Sequence, residues 1–224
     1  MTPFEVILKR LAPKHLSNVD PIMAEIVRKI GAFRFEHEPA TPPFRALVRA
    51  VAHQQLNGIA AGTILRRFVA LFPGKTFPDP EDLASVTDEQ IRAAGFSRAK
   101  ILAIRDIGAK TIEGIVPTSR RIVKMTDEEI IERLTSVRGV GRWTVEMLLI
   151  FKLGRPDVLP AADFGVRNGF RAAYGLKELP SVKELLAHGE RWKPYRTAAA
   201  WYLWRIADFP KAVPAPKRAV AKKK

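Results

Sequence analysis

Leu134-Thr-Ser-Val-Arg-Gly139-Val-Gly141-Arg-Trp143-Thr144 is a short glycine hairpin that runs into an apolar helix. A Pro/Gly-punctuated loop follows and ends in Leu159-Pro-Ala-Ala-Asp163-Phe-Gly-Val-Arg167. Gly139 and Gly141 bracket a tight turn between two predicted helices, where positive φ or close backbone approach is tolerated only without a β-carbon. The second helix is expected to start at about Arg142, and its first N–H groups have no intrahelical partner. With the helix dipole those amides form an anion site. On DNA the anion is a backbone phosphate, a contact that positions a protein without reading sequence. Taken alone, Gly-Val-Gly is equally well read as a helix connection whose glycines only relieve sterics. The downstream carboxylate shifts that balance, because Asp163 adds a group able to stabilise a cationic sugar.

Composition sets the frame. The chain has 224 residues, 47% of them hydrophobic, enough for one large domain or two small lobes with real cores. The formal net charge is +15; the six basic residues of 211–224 account for part of it, and residues 1–210 keep +9. A basic body, not merely a basic tail, suggests a polyanionic partner. There is no cysteine, which excludes disulfides, thiolate zinc sites and a cysteine-held iron-sulfur cluster. The four histidines, His15, His37, His53 and His188, show no metal-ligand spacing. No apolar stretch approaches the roughly 20 residues of a membrane span, and Met-Thr-Pro-Phe-Glu-Val lacks the features of a secretory signal. A cytosolic protein is expected.

The pattern is helical nearly throughout. Asp20-Pro21 reads as an N-cap followed by proline at the first helical position, with Ile22, Met23, Ile26, Val27 and Ile30 forming one apolar stripe. Thr41-Pro-Pro opens a second helix, which gives way around Leu56-Asn57-Gly58 to a third. Thr87–Gln90, Thr126–Glu129 and Ser181–Glu184 are capping boxes, and Ser97 caps the helix carrying Ile101, Ile104 and Ile107. Gly114-Ile-Val-Pro117 and Arg121-Ile-Val look strand-like but are too short to build a sheet. The expectation is an all-α protein of about ten helices, a two-lobed helical bundle with a central cleft between the lobes. It divides into a domain of residues 1–210 and a flexible basic tail, 211–224.

Three blocks carry a family resemblance: Ala52-His-Gln-Gln-Leu56-Asn, Arg138-Gly-Val-Gly-Arg-Trp-Thr-Val145, and Glu190-Arg-Trp-Lys-Pro-Tyr-Arg196 followed by Trp201 and Trp204. With Gly95-Phe-Ser-Arg-Ala-Lys100 they span most of residues 40–207. The chain resembles the helix-hairpin-helix DNA glycosylase superfamily that includes endonuclease III, and within it the 3-methyladenine DNA glycosylase II branch of AlkA- and yeast Mag-like enzymes. It looks like the compact form, without the N-terminal β-rich domain of the larger bacterial member. Relatives with lyase activity place a Schiff-base lysine where this chain has Trp143, so the resemblance implies a monofunctional glycosylase that leaves an abasic site.

The resemblance also implies roles. Asp163 is the expected catalytic carboxylate, stabilising positive charge on C1′ and orienting or deprotonating water; as a residue it also reads as a helix N-cap. Trp143, Met147 and Trp204 are expected at the base pocket, where tryptophan faces attract a cationic alkylated purine. Met147 stands where the larger relative has a tyrosine. Leu56 matches the wedge that fills the gap left by a flipped base, flanked by Gln54, Gln55 and Asn57. Arg98, Lys100 and Arg142 are expected to meet phosphates, together with the hairpin residues Gly139, Gly141 and Thr144. No cofactor is required. A structural Na or K ion is implied on the backbone carbonyls of Val137 and Val140. The expected partner is double-stranded DNA containing damaged bases, with no membrane, bound by a monomer. Two rivals remain: a non-enzymatic helix-hairpin-helix DNA-binding protein, and a glycosylase for other damaged bases.

Overall fold

The structure, a computed structural model, describes residues 3–35 and 41–208, with side chains over 8–35 and 41–207. The expected tail, 211–224, lies outside the described residues. In chain order the helices are α1 (Pro3–Val19), α2 (Pro21–Ile30), α3 (Pro43–His53), α4 (Gly58–Val69), α5 (Asp88–Ala93), α6 (Arg98–Ile112), α7 (Ser119–Ile122), α8 (Asp127–Thr135), α9 (Arg142–Phe151), α10 (Phe164–Ala173), α11 (Val182–Gly189) and α12 (Arg196–Asp208). Two short 3-10 turns complete the set, and no strand occurs among the described residues. Both strand-like runs resolve otherwise: 114–116 turns back on itself, and Arg121-Ile122 ends the single-turn α7.

The local signals act where the sequence places them. Thr87, Thr126 and Ser181 each accept the backbone N–H three residues on, while Gln90, Glu129 and Glu184 reach back to the cap amide. Ser97 caps α6 and Asn57 caps α4. Such caps contribute about 1 kcal/mol each. The sequence reading did not single out α1, which has Pro13 inside it. Its helicity follows from packing, since Leu8, Ala12 and Leu16 recur every fourth residue and are fully buried.

The described residues form two compact units, the first from 3–35 and 154–208, the second from 41–153. In the first, α10 lies against α12. A β-carbon on Gly169 would fall 1.9 Å from the Leu203 carbonyl oxygen, so no larger residue permits this approach. In the second, α3 packs on α6 and α9, with Leu47, Val48, Val51, Ile104, Ile107, Val145 and Leu149 buried.

The first unit also contains a buried polar knot. Asp20 is 2% exposed. Its Oδ1 accepts the Ile22 and Met23 amides at 3.0 and 3.3 Å, capping α2. Its Oδ2 accepts the Tyr174 hydroxyl, His188 Nε2 at 3.0 Å and Trp192 Nε1 at 3.0 Å. Burial alone would raise the Asp20 carboxyl, but the donors His188, Tyr174 and Trp192 and the Met23 amide outweigh it and hold it at about 2. Burial, and secondly the same contact, drive the Tyr174 hydroxyl upward.

The Asp20 carboxyl is lower in the folded than in the unfolded chain, so its stabilisation is complete above about pH 4 and disappears as pH falls toward 2. A depression from 3.8 to about 2 corresponds to roughly 2 kcal/mol. Asp20→Asn is expected to destabilise the protein at pH 7 by about 2–4 kcal/mol, because buried donors lose a charged acceptor. Thermal unfolding of wild type and variant from pH 7 to pH 2 checks this: the gap in Tm should narrow across pH 4–2.

Candidate nucleic-acid interface and catalytic carboxylate

The hairpin between α8 and α9 is fixed from beneath by α6. Gly139 has φ +75°, and a β-carbon there would stand 2.8 Å from Ala103 Cβ, so both positive φ and close approach require glycine. The Arg138 amide donates to Asp106 at 2.7 Å, and the Val140 amide donates to the Val137 carbonyl at 3.1 Å. Gly141 is different. Its φ is −87° and a β-carbon would meet nothing within 4 Å, so the fold sets no steric demand at this position. It stands at the N-cap of α9 and supplies no side-chain cap to the first-turn amides.

The loop joining α3 to α4 is tied to this hairpin. Gln54 Nε2 donates to the Gly139 carbonyl at 2.9 Å. Gln55 is the one non-glycine residue with positive φ among the described residues, at 58°. Lys100 Nζ donates to the carbonyls of Ala52 and Gln54 at 2.9 and 2.8 Å, and burial lowers its ammonium from the ordinary value. Beyond these anchors Leu56 is 40% and Ile59 86% exposed, presenting two apolar side chains at the loop and the first turn of α4. Asn57 accepts the Ala60 amide at 2.9 Å.

In the first unit Asp163 is the N-cap of α10. Its Oδ1 accepts the Val166 amide at 2.8 Å and the Trp204 indole N–H at 2.8 Å. Gly165 makes the second bond geometrically possible: a β-carbon there would lie 2.8 Å from Trp204 Cδ1 and 3.1 Å from Asp163 Oδ1. The carboxylate is therefore oriented by a helix terminus and by a side chain from α12.

Several expected contacts need correction. Lys100 turns away from phosphate duty, because two loop carbonyls take its ammonium. Thr144 is 5% exposed, so only its first-turn amide remains suited to an anion. Gln54 spends its amide nitrogen on the hairpin. Arg142 remains exposed but pairs with the buried Glu146 at 3.0 Å. Arg98 and Gln55 are exposed as expected. Trp143, 48% exposed, opens α9, and Met147 lies one turn on, lining a small apolar recess with Leu47, Leu148 and Phe151. Trp204 stands in the first unit as the partner of Asp163, a role the residue type did not announce. Gly165 and Ile59 were missed altogether.

Around the hairpin, Val137, Gly139, Val140 and Gly141 line a shallow groove with Asp106 and Lys110. Among the described residues no cluster of three or more His, Asp or Glu is built to hold a metal ion, and no helix is long and apolar enough to cross a membrane.

An all-helical chain with a glycine hairpin seated on a supporting helix and a braced aspartate at a helix N-terminus has the features of a helix-hairpin-helix DNA repair protein. Comparison with known proteins agrees. The HhH-GPD superfamily base excision DNA repair protein model matches residues 48–194. DNA-3-methyladenine glycosylase 1 of Schizosaccharomyces pombe is 43% identical over 203 residues, covering 89% of each chain. Among solved structures, the Schizosaccharomyces pombe 3-methyladenine DNA glycosylase (Mag1) in complex with abasic DNA is similar with a TM-score of 0.79, covering 88% of this chain and 96% of that one. The DNA-3-methyladenine glycosidase of Bacillus halodurans, 34% identical, gives 0.81 over 89% and 90%. The chain belongs to the HhH-GPD superfamily of base excision DNA repair proteins.

Lys100→Met leaves two loop carbonyls without their charged donor. It is expected to cost about 1–3 kcal/mol and to speed hydrogen exchange at the Leu56 amide, which donates to His53 within the same loop. Unchanged Leu56 protection would mean that the loop holds its shape without the lysine.

Proposed function

We propose that this protein is a monofunctional DNA N-glycosylase that turns alkylated purines of the 3-methyladenine type out of double-stranded DNA and hydrolyses their N-glycosidic bond, leaving an abasic site. The single observation that carries the reading is the Asp163 carboxylate, fixed by the Val166 amide and the Trp204 indole at 2.8 Å each.

The chemistry follows from that carboxylate. As the bond between C1′ and the base nitrogen breaks, its electron pair leaves with the base and positive charge develops on the sugar. A carboxylate held beside C1′ stabilises that charge without reorganising during the reaction. Water then adds to C1′, and its proton passes to Asp163. A 3-methyladenine nucleoside is already cationic, so the base departs neutral without needing an acid. This removes the requirement for a general acid and favours electron-rich groups; the family resemblance implies Trp143 for this role, where a tryptophan face would attract a cationic base by about 0.5–2 kcal/mol. Met147 adds a polarisable contact. Tryptophan at 143 cannot form an imine with the sugar, so strand cleavage is not part of the reaction.

The second unit supplies the grip on DNA. Open amides at the start of α9 receive a phosphate, Gly141 allowing the backbone to come close. Leu56, with Ile59 beside it, enters the gap left by the flipped nucleotide. Gln55, Asn57, Arg98 and Arg142 lie on the exposed side of these elements. A Na or K ion would be held by the carbonyls of Val137 and Val140, hard neutral oxygens that suit such a cation, and would steady the turn; no other cofactor enters. The protein acts as a monomer wherever the genome lies.

Incubation with methylated duplex DNA should release 3-methyladenine and leave abasic sites without strand breaks. Asp163→Asn is expected to lower single-turnover excision at least about 100-fold while keeping most of the affinity for lesion DNA. Trp204→Phe, which keeps an aromatic ring but removes the N–H donor, is expected to lose about tenfold. Release of bases at the wild-type rate by the Asp163→Asn variant would refute the mechanism. DNA binding with no release by the wild type would leave a non-enzymatic binding protein.

A further inference from the structure

Residues 41–78 contain five basic residues and His53 but no aspartate or glutamate, in a chain that has 23 acidic residues. This acid-free stretch comprises α3, the loop carrying Leu56, and α4. Arg45, Arg49 and His53 follow one another at every fourth residue of α3, so they share a face. The like charges of Arg45 and Arg49 at that spacing repel and weaken the helix by a few tenths of a kcal/mol, and no acidic neighbour on α3 or α4 offsets them.

The face lines a groove of about 480 Å³ whose other wall is α4, with Gly58, Gly62 and Arg66. No carboxylate lines it. Arg45 stacks its guanidinium over the Phe77 ring at 5.0 Å, and its buried Nε has no hydrogen-bond partner. Arg66 reaches Thr63 Oγ1 at 2.9 Å, which turns its head group back along α4 toward the loop.

The glycines supply the independent observation. Gly62 lies inside α4, where glycine costs about 1 kcal/mol relative to alanine. A β-carbon there would meet nothing closer than Arg66 Nη1 at 3.9 Å, and one on Gly58 would meet nothing within 4 Å. Neither glycine has the positive φ that would demand it. The fold therefore has no use for their missing side chains; what their absence provides is an open groove floor between arginines.

We infer that the groove between α3 and α4 is a second phosphate-binding site, taking the sugar-phosphate backbone of duplex DNA alongside the loop that carries Leu56, with Arg49 and Arg66 as donors. The inference rests on the reading of the chain as a DNA-acting protein. It adds a contact separate from the hairpin amides and explains where a basic, acid-free surface meets its polyanion.

The test is the salt dependence of binding to a short undamaged duplex, measured with the full chain. Removing a side chain that neutralises one phosphate lowers the slope of log Kobs against log salt by about 0.9. Arg49→Gln with Arg66→Gln should therefore reduce the slope by about two, and the affinity gap to wild type should shrink about 12-fold between about 50 and 200 mM salt. An equal reduction of charge in the other unit, Arg10→Gln with Lys183→Gln, should leave the slope unchanged. Gly62→Glu separates binding from folding, because it improves the helix and pairs with Arg66 four residues on. It should raise or maintain Tm while weakening duplex binding, whereas Gly62→Ala raises Tm and spares binding. Three results would each overturn the proposal: an unaltered slope in the Arg49/Arg66 double variant, an equal fall in the control pair, or tight duplex binding by Gly62→Glu. Saturable binding of millimolar inorganic phosphate that needs Arg49 and Arg66, with no change in duplex slope, would make it a free-anion site and overturn it too. Duplex binding that follows these expectations in a protein releasing no base would leave the groove standing and remove the glycosylase reading.

Discussion

The approach of α10 to α12 in the first unit governs the rest. Two glycines four residues apart, Gly165 and Gly169, turn one face of α10 into a trough. At Gly169 the Leu203 backbone occupies the space of a β-carbon, and at Gly165 the Trp204 ring does so. Because α12 lies this close, the Trp204 indole reaches the N-cap of α10 and donates to Asp163. A helix pair at ordinary spacing would leave the indole short of the carboxylate. At the far end of α10, Tyr174 donates to the buried Asp20, so the helix that presents the candidate carboxylate is registered at both ends by hydrogen bonds to aspartates. Rigidity is what electrostatic stabilisation of a transition state requires, since groups that must reorient during the reaction lose much of their advantage.

The second unit solves a different problem with similar means. Its hairpin and its α3–α4 loop are both short and lack repetitive backbone bonding of their own, so each borrows order from α6. Ala103 and Asp106 seat the hairpin, Lys100 holds the loop, and Gln54 joins the two. Three residues within two turns of one helix thereby set the geometry of every exposed group expected to touch DNA in this region. Lys100 illustrates the economy: a cation beneath the surface, satisfied by carbonyls, places an apolar tip more firmly than the same cation on a phosphate would.

What was legible in the sequence was local. Caps at Asp20, Thr87, Ser97, Thr126 and Ser181 act over three residues and their chemistry is written in adjacent letters, so the helix starts they mark stand where expected. The positive φ at Gly139 was legible for the same reason. The partners of Lys100, Gln54 and Trp204 were not, because those bonds join positions 46, 85 and 41 residues apart, and a side chain's type does not say which distant acceptor it meets. Helix α1 was missed because its stability comes from burying Leu8, Ala12 and Leu16 and not from an N-terminal signal. Thr144 was misjudged for the converse reason: its place in the hairpin motif suggested exposure, while the helix period turns it inward.

The helix N-termini show how the same physics serves opposite ends. Among the described residues seven helices receive a side-chain acceptor from their own cap residue, and for α10 that acceptor is Asp163. Helices α3, α7 and α9 receive none. For α3 the start is built of prolines, which need fewer acceptors, and α7 is a single turn. For α9 neither excuse holds: it runs ten residues, begins at an open glycine, and exposes its first residues. One terminus is thus closed by the carboxylate proposed to perform the chemistry, and the other has no side-chain cap, as the proposed phosphate contact would require. An acceptor placed at Gly141 would improve the helix by the usual capping energy and compete with the proposed phosphate for the same amides. Glycine at that cap is therefore a local stability loss that the fold itself does not require, and the proposed phosphate contact would account for it.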